Sequence, residues 1–373
     1  MVVRGAASVP GGVSPTDGGL WAPPARPSVI RRLAVGPGTV SVAGGPLGIA
    51  ARWSRLLIIA AVLLSTGQFG LPTVTAPVVL VVAGLGLVAG IPHGAADHVI
   101  ATQLAAGRPM PLVVAAYAGA AAAAWALLQW GGAVALLGVV ALSALHFGLG
   151  ELEVSHQLTG WQPSRVVAVS LVVAGSGALI LPLARAGDQL TAVATAVSPA
   201  LAQLIGGPTV QIGLVVTWLV AALVAVIASL WSGHPTVALD VVLLGALGIL
   251  VPPLLAFALW FGGWHALRHD ARILTVEPGC AALVTTGRQR AAVLRLIRLA
   301  AVPSIAALTA VAALAWLTVT ASDPTAVVAE VLRLLLALTV PHMLVVLWVD
   351  RTARQDSTMI SQRGQPASSR MAG

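Results

Sequence analysis

Apolar residues occupy this chain in continuous blocks of roughly 20 positions or a little fewer, separated by short stretches rich in Gly, Pro and Arg. Continuous blocks of that length predict membrane-spanning α-helices. A transmembrane β-barrel would alternate apolar and polar positions in shorter segments, and that pattern is missing. Ten spans are expected, near residues 53–71, 75–98, 110–130, 132–150, 164–184, 209–231, 236–251, 254–269, 296–319 and 326–349. Residues 188–204 are less apolar and fit an interfacial segment. Pro252 and Pro253 separate two short blocks, which predicts either a turn between spans or a break in one tilted helix. The expected fold is therefore all-α, a polytopic bundle of about 8–10 spans over residues 51–350. Residues 1–50, rich in Gly, Pro, Ala, Ser and Val without periodicity, are expected to be a disordered or weakly ordered extension. They lack the compact n-region and short apolar core of a signal peptide. Residues 351–373 form a polar, Arg-containing tail.

Composition agrees with the pattern: 58% of residues are hydrophobic and 9% charged, with mean hydropathy +0.95. The formal charge of +8 comes from arginine alone, as the chain has no lysine. These arginines lie in tails and short loops with no basic stripe or interleaved aromatics, so they argue against nucleic-acid binding. They set topology instead. With the N-terminus inside, Arg52, Arg55, Arg108, Arg165, Arg272, Arg288, Arg290, Arg295 and Arg298 fall on the cytoplasmic side, as does the C-terminal tail. Arg185 is the loop arginine that falls outside, and Arg268 and Arg333 lie within spans. Both termini are expected in the cytoplasm, and the chain in the cell membrane. The single cysteine, Cys280, excludes a disulfide framework and Cys-based metal clusters.

Ionisable groups inside apolar helices then demand an explanation, because each costs about 2.5–3.5 kcal/mol on insertion scales. His93 ends the second span in GIPHGAADHV, His146 lies near the inner end of the fourth in LHFG, and His265 and His269 near the inner end of the eighth in WHALRH. The topology brings these four imidazoles to one depth. His265 and His269 are spaced i,i+4 and share a helix face. Neutral imidazole is the commonest transition-metal ligand, so His93, His146, His265 and His269 are the expected metal ligands. Asp97, four residues after His93, is read as a second-shell partner fixing a ligand tautomer, against the plainer alternative of a helix-end carboxylate. His98 can join His93 on one ion only if the helix unwinds, which Gly94 permits. His342, after Pro341 in TVPHML, is placed as a residue lining the cavity and not as a fifth ligand. Phe147 and Trp264 are further cavity-lining candidates, with Trp260 and Phe261 beside them; helix packing is the competing reading of these aromatics. His156 and His234 fall in expected loops and are read as structural. Glu151 is read as a loop charge, and Arg268 as snorkelling to lipid phosphates or balancing a carboxylate such as Asp270.

Taken in order, GIPHGAADH at 90–98, LHFG at 145–148, WHALRH at 264–269 and TVPHML at 339–344 resemble the Brp/Blh family of membrane-integral β-carotene 15,15'-dioxygenases. The likeness spans about residues 53–350, and Gly150-Glu151 departs from the small residue plus Asp common after HFG. The resemblance implies a non-haem Fe(2+) held by His93, His146, His265 and His269. It makes Asp97 part of the PHGxxD motif and His98 not a ligand. It also implies oxidative cleavage of β-carotene by O2 to two retinal molecules, within the lipid bilayer, and a functional link to a retinal-binding rhodopsin. Di-iron desaturases need repeated histidine boxes, and only one HxxxH pair occurs here. The alternatives are a bis-histidine haem carrier, a non-catalytic retinal- or carotenoid-binding protein, and a small-molecule transporter.

Overall fold

The computed structural model describes residues 44–67, 76–105, 108–185, 195, 198–320 and 324–364, and among them every regular element is a helix. The expected N-terminal extension falls almost wholly outside the described residues, as do most of the weakly apolar stretch after 188 and the last nine residues of the tail. In chain order the elements are α1 (Pro46–Gly67), α2 (Ala76–Gly90), a 3-10 turn (Ile91–Gly94), α3 (Asp97–Leu104), α4 (Met110–Trp130), α5 (Gly132–Thr159), α6 (Arg165–Gly175) and α7 (Gly177–Arg185). There follow α8 (Pro199–Gly206), α9 (Pro208–Trp231), α10 (Pro235–Leu250), α11 (Pro253–Leu259), a π-helical segment (Trp260–Ala266), α12 (Leu267–Val276), α13 (Pro278–Thr285), α14 (Gln289–Thr320) and α15 (Pro324–Gly364).

Over the described residues, each of the ten expected spans falls largely on helix; residues 68–71 and 75 of the first two lie outside them. Six helices are individually long and apolar enough to cross a membrane: α1, α4, α5, α9, the Gln289–Ala313 part of α14 and the Leu332–Thr352 part of α15. The pair α6 and α7, bent by 47°, makes a seventh if counted as one span. The remaining apolar blocks are shorter or interrupted. At roughly 1.5 Å per residue, the 15 residues of α2 and the 16 of α10 fall short of a bilayer core. The Pro252 step is extended backbone between α10 and α11, with φ −50° and ψ 135°.

The outer face of the bundle is apolar. Leu63, Leu64, Val134, Val166 and Val302 are all more than 60% exposed, and Trp130 and Trp231 sit nearly bare at the ends of α4 and α9. Apolar surface on this scale suits lipid, and terminal tryptophans suit the headgroup level. The chain is a multi-pass membrane protein. Inside, α15 packs on α4, α6 on α5 and α9, and α2 on α11 and the π-helical segment. Glycine permits that last approach, since a Cβ on Gly262 would lie 2.1 Å from the Gly86 carbonyl oxygen and one on Gly90 2.2 Å from the Phe261 ring. The core between these layers includes Ile58, Phe147, Leu244, Leu247, Trp260 and Trp264.

Two groups of charges inside the bundle were not expected. Arg55 and Arg272, read above as topology signals, are partners in ion pairs with Asp240 and Asp350, at 2.6 and 2.7 Å. Arg185 turns back to cap the end of α10, donating to the carbonyls of Gly248 at 2.6 Å and Val251 at 3.1 Å.

Outside the spans, Glu277 joins α12 to α13. Its carboxylate accepts the Cys280 N–H at 2.6 Å and two Arg295 donors at 2.9 and 3.0 Å. Burial pushes its pKa up, but the bonds from Arg295 and from the Cys280 and Gly279 amides outweigh that and hold it at about 2. The stability it contributes is therefore complete above the unfolded value of about 4.3 and is lost as pH falls through the folded one. Glu277→Gln is expected to lower the thermal midpoint in detergent at pH 7, at a cost of about 1 kcal/mol for the lost cap. The gap to the parent protein should narrow as acid approaches pH 2. A gap that widened with acid would show that Glu277 is not held as a carboxylate.

Candidate metal centre

Four separate segments deliver imidazoles to one buried point. Span two ends where the chain leaves α2 at Gly90 and tightens into the Ile91–Gly94 turn, with Pro92 fixing its entry. His93 in this turn is held by its Nδ1–H, which donates to the Gly90 carbonyl and leaves Nε2 as the lone-pair nitrogen. His146 comes from α5, well inside the helix. His265 closes the π-helical segment and His269 follows in the first turn of α12. Such π insertions recur at functional sites because they rotate a side chain out of α-helical register. Here the two rings lie 6.3 Å apart, nearly parallel, on the same side of the helix. All four side chains are buried.

His342 of α15 enters the same cluster. Its ring centroid lies 4.6 Å from that of His93, 5.1 Å from His146 and 5.2 Å from His269. His93 is 5.4 Å from His265 and 5.6 Å from His269, and His146 is 5.5 Å from His265. One ligand atom from each of His93, His265 and His342 lies within 4.8 Å of the others, and the same holds for Asp97, His269 and His342. The Nε2 atoms of His146, His265, His269 and His342 are buried without a hydrogen-bond partner. Buried polar atoms are normally satisfied, and a set of converging imidazole lone pairs is the donor set of a borderline transition-metal ion. The residues present therefore fit a metal, which the groups His93, His265 and His342 or Asp97, His269 and His342 could hold; His146 borders the cluster but belongs to neither group.

The other candidates separate clearly. Asp97 is only 2% exposed and bonds His342 Nδ1 at 2.7 Å, not His93; the Tyr117 hydroxyl donates to the same oxygen at 3.3 Å. The helix does break beside Gly94, yet His98 takes no part in the cluster, because its Nδ1–H donates to the Ala95 carbonyl at 2.8 Å. Phe147 packs edge-on to His265 at 4.9 Å and to Trp260 at 4.5 Å, so it borders the centre. Phe261 does the same at His93, 5.2 Å away. Trp264 instead points to the opposite side, where its indole N–H donates to Glu151 at 2.7 Å and its ring lies 3.5 Å under the Arg268 guanidinium. His156 bonds the Trp161 carbonyl and His234 stacks on the Trp161 ring, both away from the centre.

Glu151 is thus not a loop charge. It lies within α5, and with Asp240 it takes the Arg268 guanidinium at 3.1 and 3.2 Å, while Arg268 Nε donates to Ser54 at 2.9 Å. Arg268 balances these two carboxylates and not Asp270. This group fixes the outer face of the helix that carries His265 and His269, and the sequence reading missed it. The available signal was that Arg268 and Asp240 both sit in apolar blocks, where an unpaired charge is costly.

A cavity of about 640 Å³ opens beside the centre, between α1, α12 and α14. Trp53, Pro92, Leu267, Leu274, Leu296 and Ala300 are among its mostly apolar walls. Pro92 and Ala96 put it directly behind the segment bearing His93; His342, Phe147 and Trp264 do not line it.

A polytopic helical bundle with a buried cluster of imidazoles that could bind a metal defines a class of membrane protein. The family model for beta-carotene 15,15'-dioxygenase matches residues 84–350, and the chain belongs to that family. It is 29% identical over 292 residues to the probable beta-carotene 15,15'-dioxygenase Blh of Halobacterium salinarum, an alignment covering 71% of this chain and 82% of that one. No solved structure matches the chain.

Proposed function

We propose that this chain is an iron(II)-dependent dioxygenase of the cell membrane that cleaves the central 15,15' double bond of β-carotene with O2, giving two molecules of retinal. The observation that carries the reading is the meeting of His93, His146, His265 and His269, from three stretches of chain far apart in sequence, with the Nε2 atoms of the last three buried and unpartnered in an apolar interior. These four histidines would hold the iron, and bound iron(II) supplies the electrons that let O2 react with a closed-shell polyene. Four neutral imidazoles would leave a bound ion its full positive charge, so no protein nucleophile is required.

The remaining chemistry belongs to the chain. β-Carotene dissolves in bilayers, and the apolar cavity walled by Trp53, Leu267 and Leu296 lies between helices whose outer faces are lipid-like. Its size falls within the range of ligand pockets, about 300–1,000 Å³. Phe147 and Phe261, edge-on to the imidazoles, keep the site dry and offer faces against which a polyene can lie. The Gly90 carbonyl holds His93 in one tautomer. No acid or base is needed at the scissile bond, because both oxygen atoms end in the two aldehydes.

Expression in a β-carotene-accumulating host tests the reading. Colour is expected to fade as retinal appears, two molecules for each carotene lost, and the purified protein should carry about one iron per chain. Retention of colour with carotene or retinal bound but not formed would favour a binding protein. A Soret band on purification would favour a haem carrier.

A further inference from the structure

We propose that His342 is a fifth imidazole donor to this metal centre, with Asp97 as its positioning residue. The proposal rests on the metal reading above and adds to it a ligand from α15.

His342 is 4% exposed, and three of the four other imidazoles lie nearer to it than His265 lies to His269. Its Nδ1–H donates to Asp97 at 2.7 Å, which fixes the tautomer and turns the Nε2 lone pair inward. That Nε2 is buried and unpartnered. A histidine serving only to pack would need one hydrogen bond and would turn its second nitrogen to another donor or away from a cluster of lone pairs. This ring does the reverse. The carboxylate–imidazole arrangement, with the other nitrogen directed at a donor cluster, is the usual support of a metal-bound histidine. Tyr117 steadies the carboxylate from α4.

The segment PHGAAD is shaped around His342 as much as around His93. A Cβ on Gly94 would stand 3.2 Å from His342 Nδ1 and 3.6 Å from Asp97 Oδ2, so glycine leaves room for the ring. Asp97 begins α3 just beyond, where the chain has turned enough to face α15. One short segment thus supplies a first imidazole, the space for another and the carboxylate that orients it.

The test uses the purified full-length protein loaded with cobalt(II) or iron(II) alone. X-ray absorption of the iron-loaded parent protein is expected to fit five imidazole nitrogens. The visible bands of the cobalt form, which strengthen as coordination number falls, should intensify in His342→Ala. Chelator competition should show a loss of affinity in His342→Ala larger than that in Asp97→Asn, about 100-fold or more. Asp97→Asn should lose about 10–100-fold, the range of a second-shell removal, and Asp97→Glu should recover part of it. Added imidazole should return the parent bands to His342→Gly. Four nitrogens in the parent protein, or unchanged cobalt bands and affinity in His342→Ala, would overturn the proposal while leaving the four-histidine centre standing. A parent protein that takes up no metal would sink both.

Discussion

His265→Ala is expected to reduce retinal formation in carotene-accumulating cells to background and to strip the purified protein of most of its metal. His265 sits where the π-helical segment returns to α-helix, and its ring touches those of His93, His146, Phe147 and Trp260. Alanine removes one donor and opens a gap in the middle of the cluster. Removing a residue that merely supports a ligand costs about 10–100-fold in affinity or activity, so loss of the ligand itself should exceed 100-fold. The same holds for His93→Ala, His146→Ala and His269→Ala. His98→Ala, His156→Ala and His234→Ala should each retain retinal formation, because their rings bond or stack on Ala95 and Trp161, away from the centre. Immunoblotted membranes separate lost activity from lost protein. Full activity in His265→Ala would end the metal assignment.

The helical bundle was legible because burial in lipid requires long apolar blocks, and over the described residues each expected block from 53–71 to 326–349 falls largely on helix. Four of the five converging histidines were legible for a related reason: a polar ring in an apolar helix must find a use. His342 satisfied the same criterion. Its distance along the chain hid its partner, since Asp97 lies 245 residues away. Spacing rules reach one helical turn, not across a bundle. For the same reason Asp97 was paired with His93 on its own helix, when the break at Gly94 turns it toward α15 instead. The π-helical segment was also invisible, as an extra residue per turn leaves no mark on hydropathy. Glu151 was read alone as a loop charge, Arg268 as snorkelling or balancing a carboxylate such as Asp270, and Asp240 was not singled out, because their complementarity exists only once α5, α10 and α12 are packed.

That packed group makes the second large prediction. Arg268→Met is expected to destabilise the protein by about 3–5 kcal/mol, the cost of breaking a buried ion pair by removing one partner. Arg268 is 1% exposed and reaches three partners, Ser54, Glu151 and Asp240, while lying flat on Trp264. Methionine replaces much of the side chain's length and apolar stem, so the loss is chiefly of charge and donors. Asp240 keeps a two-pronged bond from Arg55 at 2.6 and 2.9 Å. Glu151 keeps the Trp264 indole at 2.7 Å and the more distant Arg55 charge, but loses its direct ion pair. Glu151→Gln removes the carboxylate charge and retains an acceptor for the indole. The double variant should therefore be more stable than Arg268→Met alone, with a coupling of about 0.5–3 kcal/mol in the mutant cycle. Thermal unfolding in detergent measures it. Trp264 and Arg268 face α1, α5 and α10, whereas His265 and His269, each one residue on and about 100° further round an ideal helix, face the metal centre. Loosening one face should let the other drift, so metal affinity is expected to fall in Arg268→Met and to return in the double variant. Equal stability in Arg268→Met and the parent would show that the helix is held by its apolar contacts alone.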